Sequence, residues 1–244
     1  RDARLVYDDR QLGLVRQSSD TDITIGRTRA GVLAKLDMAV DMTADRRTII
    51  KAEARYRRDN GETDITALLG GLDPSALAAA SEKLAAWRGV AMNMTGSLWL
   101  RLDKDFKPLR ARFIAGAENG SFSGFGLYED SPLPVRKLYA KGMLDIAGRG
   151  LRIDALNIDM DGPKAATRAL VEFKDGKYDV TVQGELTQTP MDDLARYWPA
   201  HLTPDPRWWV TTHLSKGVAT KATIDAAFAI NPAPAEGEKK LAMH

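Results

Sequence analysis

Alternation of apolar and polar residues is the feature that most narrows what this chain can fold into. It runs through four long segments: 32–42, 90–102, 178–186 and 222–230. In the first of them, Leu36 and Met38 alternate with Lys35 and Asp37. Successive side chains leave opposite faces of a strand, so a period of two predicts long strands. Each strand should have one apolar face and one polar face.

Short turn signals separate these segments. They are Asp59-Asn60-Gly61, Asp103-Lys104-Asp105, Gly148-Arg149-Gly150 and Lys174-Asp175-Gly176-Lys177. Such short connections join antiparallel neighbours, because parallel neighbours need a long crossover. The sequence therefore predicts a mostly β fold, with about ten or eleven strands in one antiparallel meander.

An alternating strand followed by a proline-started helix occurs twice, at 63–87 and at 178–198. In the first copy, Asp73 is expected to cap a single helix that ends near Trp87. In the second copy, Thr189 is expected to cap a helix of about two turns. This repetition predicts an extended architecture whose units stack on one another.

The repeat also suggests a division of the chain. The first repeat unit is 1–132, the second is 133–231 with Trp-rich helices, and 232–244 is a linker or tail. In the second unit, a third helix is predicted from Thr203 or Asp205 to Leu214. We expect its Trp208 and Trp209, like the earlier Trp198, to anchor helices rather than to contact a ligand.

Composition argues against several classes of protein. The chain has a formal net charge of +2, and 28% of its residues are charged. Because Lys and Arg are spread along the strands, we expect no nucleic-acid partner. The absence of cysteine excludes a disulfide framework, a thiolate zinc site and a cysteine nucleophile. The chain begins at Arg1, inside a predicted strand, and we expect it to be a piece of a longer protein.

Catalytic signatures are missing from the sequence. It has no nucleophile elbow, no phosphate-binding glycine-rich loop and no zinc-protease motif. His201 and His213 have no carboxylate or second histidine at ligand spacing, so capping or surface roles are expected. We therefore expect no enzyme, no cofactor and no metal site.

The predicted sheet has more apolar surface than its helices can cover. Burying a large apolar side chain contributes about 1.5–3 kcal/mol, so a face of this size is not left in water. The sheet could close or form a sandwich. Alternatively, it could curl into a groove whose lining receives acyl chains.

One stretch of the second unit resembles a known family. The segments are Pro190-Met191-Asp192-Asp193-Leu194-Ala195-Arg196-Tyr197-Trp198-Pro199, then Arg207-Trp208-Trp209-Val210, then Gly217-Val218-Ala219. They resemble the AsmA-like superfamily, and specifically the YhdP-like proteins of Gram-negative bacteria. The likeness is sharpest over residues 178–230.

The resemblance implies a bridge-like lipid transfer protein. Such a protein would lie in the periplasm, with the parent chain anchored in the inner membrane and possible envelope protein partners. Its sheet would be an open, taco-like groove that holds phospholipid for transport between inner and outer membranes. A trough of this kind needs no catalytic residue.

The groove lining is predicted from the apolar positions of the alternating strands. These positions are Val32, Leu36, Met38, Val40, Val90, Met92, Met94, Leu98, Leu100, Leu102, Val180 and Val182. The alternative is a closed β-sandwich that serves as a protein-interaction module without lipid cargo.

Overall fold

The chain folds into one open antiparallel sheet, in a computed structural model. The structure describes residues 5–9, 14–43, 46–123, 128, 131–198 and 204–230. The predicted tail 232–244, together with His201, lies outside the described residues. Twelve strands follow one another in chain order, each hydrogen-bonded to the next. Among the described pairings, the first and last strands do not meet, so the predicted meander is confirmed and a closed sandwich is not formed.

The strands are mostly ten to fifteen residues long. They are β1 (Leu5–Asp9), β2 (Leu14–Arg27), β3 (Gly31–Thr43), β4 (Arg46–Arg57), β5 (Thr63–Leu72), β6 (Val90–Leu102), β7 (Pro108–Phe122), β8 (Leu133–Asp145), β9 (Gly150–Asp159), β10 (Lys164–Lys174), β11 (Lys177–Pro190) and β12 (Val218–Ile230). All eleven neighbouring pairs are antiparallel. The sequence predicted about ten or eleven strands; the structure has twelve.

The helices are short and lie in two connections. They are α1 (Pro74–Ala79), a 3-10 helix (Glu82–Trp87), a second 3-10 helix (Met191–Asp193), α2 (Leu194–Tyr197) and α3 (Pro204–His213). Longer connections alternate with tight turns along the meander, so both helical connections lie at one end of the sheet. We call this the helix end, and the opposite end, with the predicted turns, the hairpin end.

The first predicted helix is broken in two. Asp73 does cap α1, since its Oδ1 accepts hydrogen bonds from the backbone N–H groups of Ser75 at 3.0 Å and Ala76 at 3.3 Å. However, Ser81 is extended, with φ −150° and ψ 123°, and separates α1 from the 3-10 helix. Serine favours such capping positions over helix interiors.

The predicted cap at Thr189 is wrong. Thr189 still belongs to β11, where it pairs with Ala219, and its neighbour Pro190 pairs with Val218. Its hydroxyl is buried and has no hydrogen-bond partner among the described residues. The start of β12 thus extends the ladder past the point where the sequence placed a helix.

The division at residue 133 falls between two neighbouring strands of this sheet. β7 and β8 pair along almost their whole length, from Arg110 opposite Asp145 to Phe122 opposite Leu133. The two-unit organisation stays a prediction.

Interruptions of the ladder give the sheet its curl. Register shifts occur in several strand pairs, including β2–β3, β5–β6, β8–β9 and β9–β10. Bulges and glycine kinks bend a sheet and increase its twist. At Gly96, a Cβ atom would lie 2.3 Å from the carbonyl oxygen of Ile114, and at Gly184 it would lie 2.4 Å from that of Ala166. Backbones approach most closely at such positions.

Candidate functional site

A continuous apolar surface crosses the sheet. Residues directly opposite each other on paired strands share a face, so the register traces rows across it. One row consists of Ile23, Leu36, Ala52, Ala67, Leu98, Phe113, Gly142, Ile153, Ala169, Val182 and Ala226. The next consists of Ile25, Ala34, Ala54, Ile65, Leu100, Ala111, Leu144, Leu151, Val171, Val180 and Phe228. Neither row contains a polar side chain; we call this surface the apolar face.

The helix end of the apolar face is a closed core. Val90, Met92, Ala117 and Val135 are buried there, at 3–5% exposure. Met94, Phe122, Leu138 and Ile158 pack against them. α1 covers part of this end through contacts with β6 and, three strands away, with β3.

The rest of the apolar face is more open. Ile25 is 71% exposed, Phe228 48% and Leu144 38%, although all three lie in one apolar row. Most other members of the two rows are half-buried. Large side chains this exposed on a continuous apolar surface are unusual and mark a surface that binds something.

All twelve residues predicted as groove lining lie on the apolar face. Val40, Val90, Met92 and Val180 are buried. The other eight are half-buried: Val32, Leu36, Met38, Met94, Leu98, Leu100, Leu102 and Val182. Val40, Val90 and Met92 belong to the helix end, so the open lining consists of the half-buried set. Whether these side chains contact lipid stays a prediction.

Sequence reasoning missed part of the lining. Ile23 and Ile25 on β2 face the same side as Leu36 and Ala34 on β3. Their alternation with Asp22 and Thr24 was a usable signal, but it spans too few positions to stand out. Phe113, Leu144 and Phe228 were also missed.

The opposite face of the sheet is charged. Lys51 pairs with Asp37 across β3 and β4, with Nζ 2.8 Å from Oδ2. Arg101 donates from Nε to Oδ1 of Asp64 at 2.9 Å, and this hydrogen bond raises the pKa of Arg101. Exposed cross-strand pairs of this kind contribute about 0.2–1 kcal/mol each. They set the register and keep this face in water.

A hollow on the charged face surrounds Trp99. The guanidinium carbons of Arg101 and Arg112 lie 5.1 and 4.8 Å from the centre of its ring. Glu62 and Asp145 also line this hollow. The contacts are cation–π interactions and ion pairs that satisfy one another, so we assign the hollow no chemistry of its own.

The described residues contain no group of three or more His, Asp or Glu side chains that could hold a metal ion. His213 caps the end of α3: its Nδ1 donates to the carbonyl oxygen of Trp209 at 2.8 Å, and its ring stacks on that of Trp209 with centroids 5.2 Å apart. This agrees with the capping role predicted for it.

The tryptophans of α3 do not anchor it to the sheet. Trp208 is 63% exposed and Trp209 53% exposed, whereas Trp198 is half-buried. α3 is held instead by Arg207, which donates from Nε to the carbonyl oxygen of Trp198 at 2.8 Å and from Nη2 to that of Ala195 at 2.9 Å. The prediction of a tryptophan anchor is wrong for Trp208 and Trp209, because α3 rests on the end of α2.

Comparison with protein-family models, curated proteins and solved structures found no match. Within the described part of the chain, no helix has both the length and the apolar character that crossing a membrane requires.

Proposed function

We propose that this chain holds the acyl chains of phospholipid on its apolar face, as a segment of a lipid transfer protein. The observation that carries this proposal is the pair of apolar rows. They run from β2 to β12 without a polar side chain, and members such as Ile25 and Phe228 remain about half-exposed or more. Acyl chains are the ligand class that needs such a surface and no directed polar contact.

The energetics favour acyl chains as occupants. Each methylene group removed from water contributes about 0.8 kcal/mol, so about ten buried methylenes contribute roughly 8 kcal/mol before the cost of ordering the chain. A strand of 13 residues such as β6 is about 43 Å long. The head group can stay in water at the open side of the sheet.

The cellular setting is part of the proposal and rests on the resemblance to YhdP-like proteins. The segment would work in the periplasm, in a parent chain anchored in the inner membrane, and carry phospholipid between inner and outer membranes. Envelope protein partners would meet the parent at either membrane.

Native mass spectrometry of protein purified from cells without detergent tests the binding itself. We expect mass increments that correspond to phospholipid, released on denaturation. Protein that is consistently free of lipid, and that takes none up from vesicles, would contradict the proposal.

Leu100→Asp tests the face. Leu100 is half-buried in an apolar row, between Ile65 and Ala111 on the neighbouring strands. A carboxylate there should prevent acyl binding and leave the sheet folded. Ser97→Asp is the matched control, since Ser97 lies on the same strand and faces the charged side. Met94 is less suitable because it packs against the buried core.

The two variants distinguish binding from folding. We expect both to keep the wild-type circular dichroism spectrum and only Leu100→Asp to lose lipid. Equal lipid retention by both variants would show that this row is not the lining. Unfolding of Leu100→Asp alone would show that the row is part of a closed core.

The exposure of Trp208 and Trp209 favours a second candidate, an interaction module for an envelope protein. The double variant Trp208→Ala/Trp209→Ala separates the two candidates, because it leaves the apolar face unchanged. Full lipid retention by this variant is expected if the apolar face is the site.

A further inference from the structure

The outer edge of β12 is a second surface of this chain that is built for pairing. β12 pairs with β11 from Val218 to Ile230, and no described strand pairs with its other side. The strand is 13 residues long. An edge of this length presents a row of free backbone N–H and C=O groups to the solvent.

β12 lacks most of the features that protect edge strands. Natural edges are shortened, interrupted by proline or bulges, or lined with charges, lysine above all. β12 contains no proline, and its pairing with β11 keeps one register throughout. Its only charged residues are Lys221 and Asp225. This edge is therefore open to another strand.

The sequence of β12 is complementary to itself when it runs antiparallel. If Thr223 lies opposite Thr223 of a second copy, Lys221 lies opposite Asp225 and Val218 lies opposite Phe228. The two-fold symmetry repeats each of these pairs, which gives two ion pairs and two apolar contacts. Opposite charges that face each other across an antiparallel pair stabilise it.

The side chains concerned are in place for this pairing. Lys221 and Asp225 lie on the charged face, opposite Thr187 and Gln183 of β11, respectively. Asp225 has no ion-pair partner among the described residues, whereas Lys221 contacts Glu185 at 2.5 Å. On the apolar face, Val218 is 59% exposed and Phe228 48%.

We propose that β12 pairs antiparallel with β12 of a second copy of this chain, in the register centred on Thr223. The two-fold axis is then perpendicular to the sheet. Both apolar faces consequently lie on the same side, and the two sheets join into one. The inference rests on the edge and its charges, and does not depend on lipid binding.

Sedimentation equilibrium of the whole chain measures the association. We expect a concentration-dependent species of twice the 26.8 kDa chain mass. A chain that stays monomeric up to its solubility limit would overturn the proposal. Open-ended growth beyond the dimer would also overturn it, because that result indicates head-to-tail pairing of β12 with β1.

Charge reversal tests the register. Asp225→Lys places two lysines opposite each other twice per dimer, and should weaken association by about tenfold or more. The double variant Lys221→Asp/Asp225→Lys restores opposite charges and should recover most of the association. Asp179→Lys is the control, since Asp179 lies one strand further in, on β11. A double variant as weak as the single one would refute this register.

Cross-linking gives an independent measurement, because the chain has no cysteine of its own. Thr223→Cys brings two thiols together at the two-fold axis and should form a disulfide-linked dimer under mild oxidation. Ala227→Cys faces Ala219 of the second copy and should not. Equal cross-linking of both variants would contradict the register and indicate random collisions.

Discussion

Tyr128 ties two connections of the helix end together. Its hydroxyl donates to the carbonyl oxygen of Tyr197, the last residue of α2, at 2.7 Å. Its ring meets that of Phe122 edge to face, with centroids 6.4 Å apart. Burial raises the pKa of Tyr128 to about 12, because the tyrosinate would lose its hydration. This side chain links the connection between β7 and β8 to the connection between β11 and β12.

The raised pKa of Tyr128 predicts a loss of stability at alkaline pH. The folded state holds the phenolic proton more tightly than the unfolded state, whose tyrosine has a pKa of about 10. This stabilisation is complete below about pH 10 and is lost as the pH rises towards about 12, a change of roughly 2–3 kcal/mol. Urea unfolding across this range measures it.

Tyr128→Phe is the control for that measurement. It should lower the free energy of unfolding by about 1 kcal/mol at neutral pH, since the hydrogen bond to Tyr197 is lost. Its stability should then fall less steeply than that of the wild type between about pH 10 and 12. Parallel pH profiles for the two proteins would show that Tyr128 is not the group responsible.

At the scale of single elements, glycines and bulges do as much as the alternating pattern. Gly96 lies on the apolar face between Leu69 of β5 and Ala115 of β7. The backbone of β7 comes so close that a Cβ at this position would overlap the carbonyl of Ile114. Gly116 on β7 is different, since its Cβ would lie 3.6 Å from the nearest atom, the carbonyl oxygen of Leu138.

This contrast predicts opposite results for two glycine-to-alanine substitutions. Gly96→Ala should lower the free energy of unfolding by about 1–3 kcal/mol, because the bend must open to admit the methyl group. Gly116→Ala should change it by no more than about 0.5 kcal/mol. Chemical denaturation of both variants checks the prediction. Similar values for the two would mean that the sheet is not tightly bent at Gly96.

At the scale of the whole molecule, burial is concentrated at the helix end. The core around Met92, Ala117 and Val135 lies there, under the connection that carries α1. Towards β1 and β12, each edge strand has a neighbour on one side only. The molecule is therefore a sheet with one closed end and a half-open apolar face.

This distribution predicts graded hydrogen exchange. Amides of β6, β7 and β8 near the helix end should exchange most slowly, because they are paired on both sides and lie next to the core. Amides on the outer edges of β1 and β12 should exchange fastest in dilute protein. Exchange measured by mass spectrometry on peptides of each strand checks this. Uniform protection along the chain would contradict it.

Much of the architecture could be predicted from local patterns. Alternation identified long strands, and short turn signals made them antiparallel neighbours, because both depend on nearby residues alone. The cap at Asp73 and the third helix were predicted for the same reason. All twelve lining positions were assigned to one apolar face, since a period of two leaves no freedom once the strand is given.

The remaining features depend on contacts between distant parts of the chain. Thr189 belongs to a strand because β12 pairs with it, and Trp208 is exposed because α3 rests on α2. Neither contact is visible in a local pattern. The sequence by itself determined which side chains share a face. Only the tertiary structure decided which part of that face is closed and which is open, because bulges, close glycine contacts and the covering helix involve neighbours far apart in the chain.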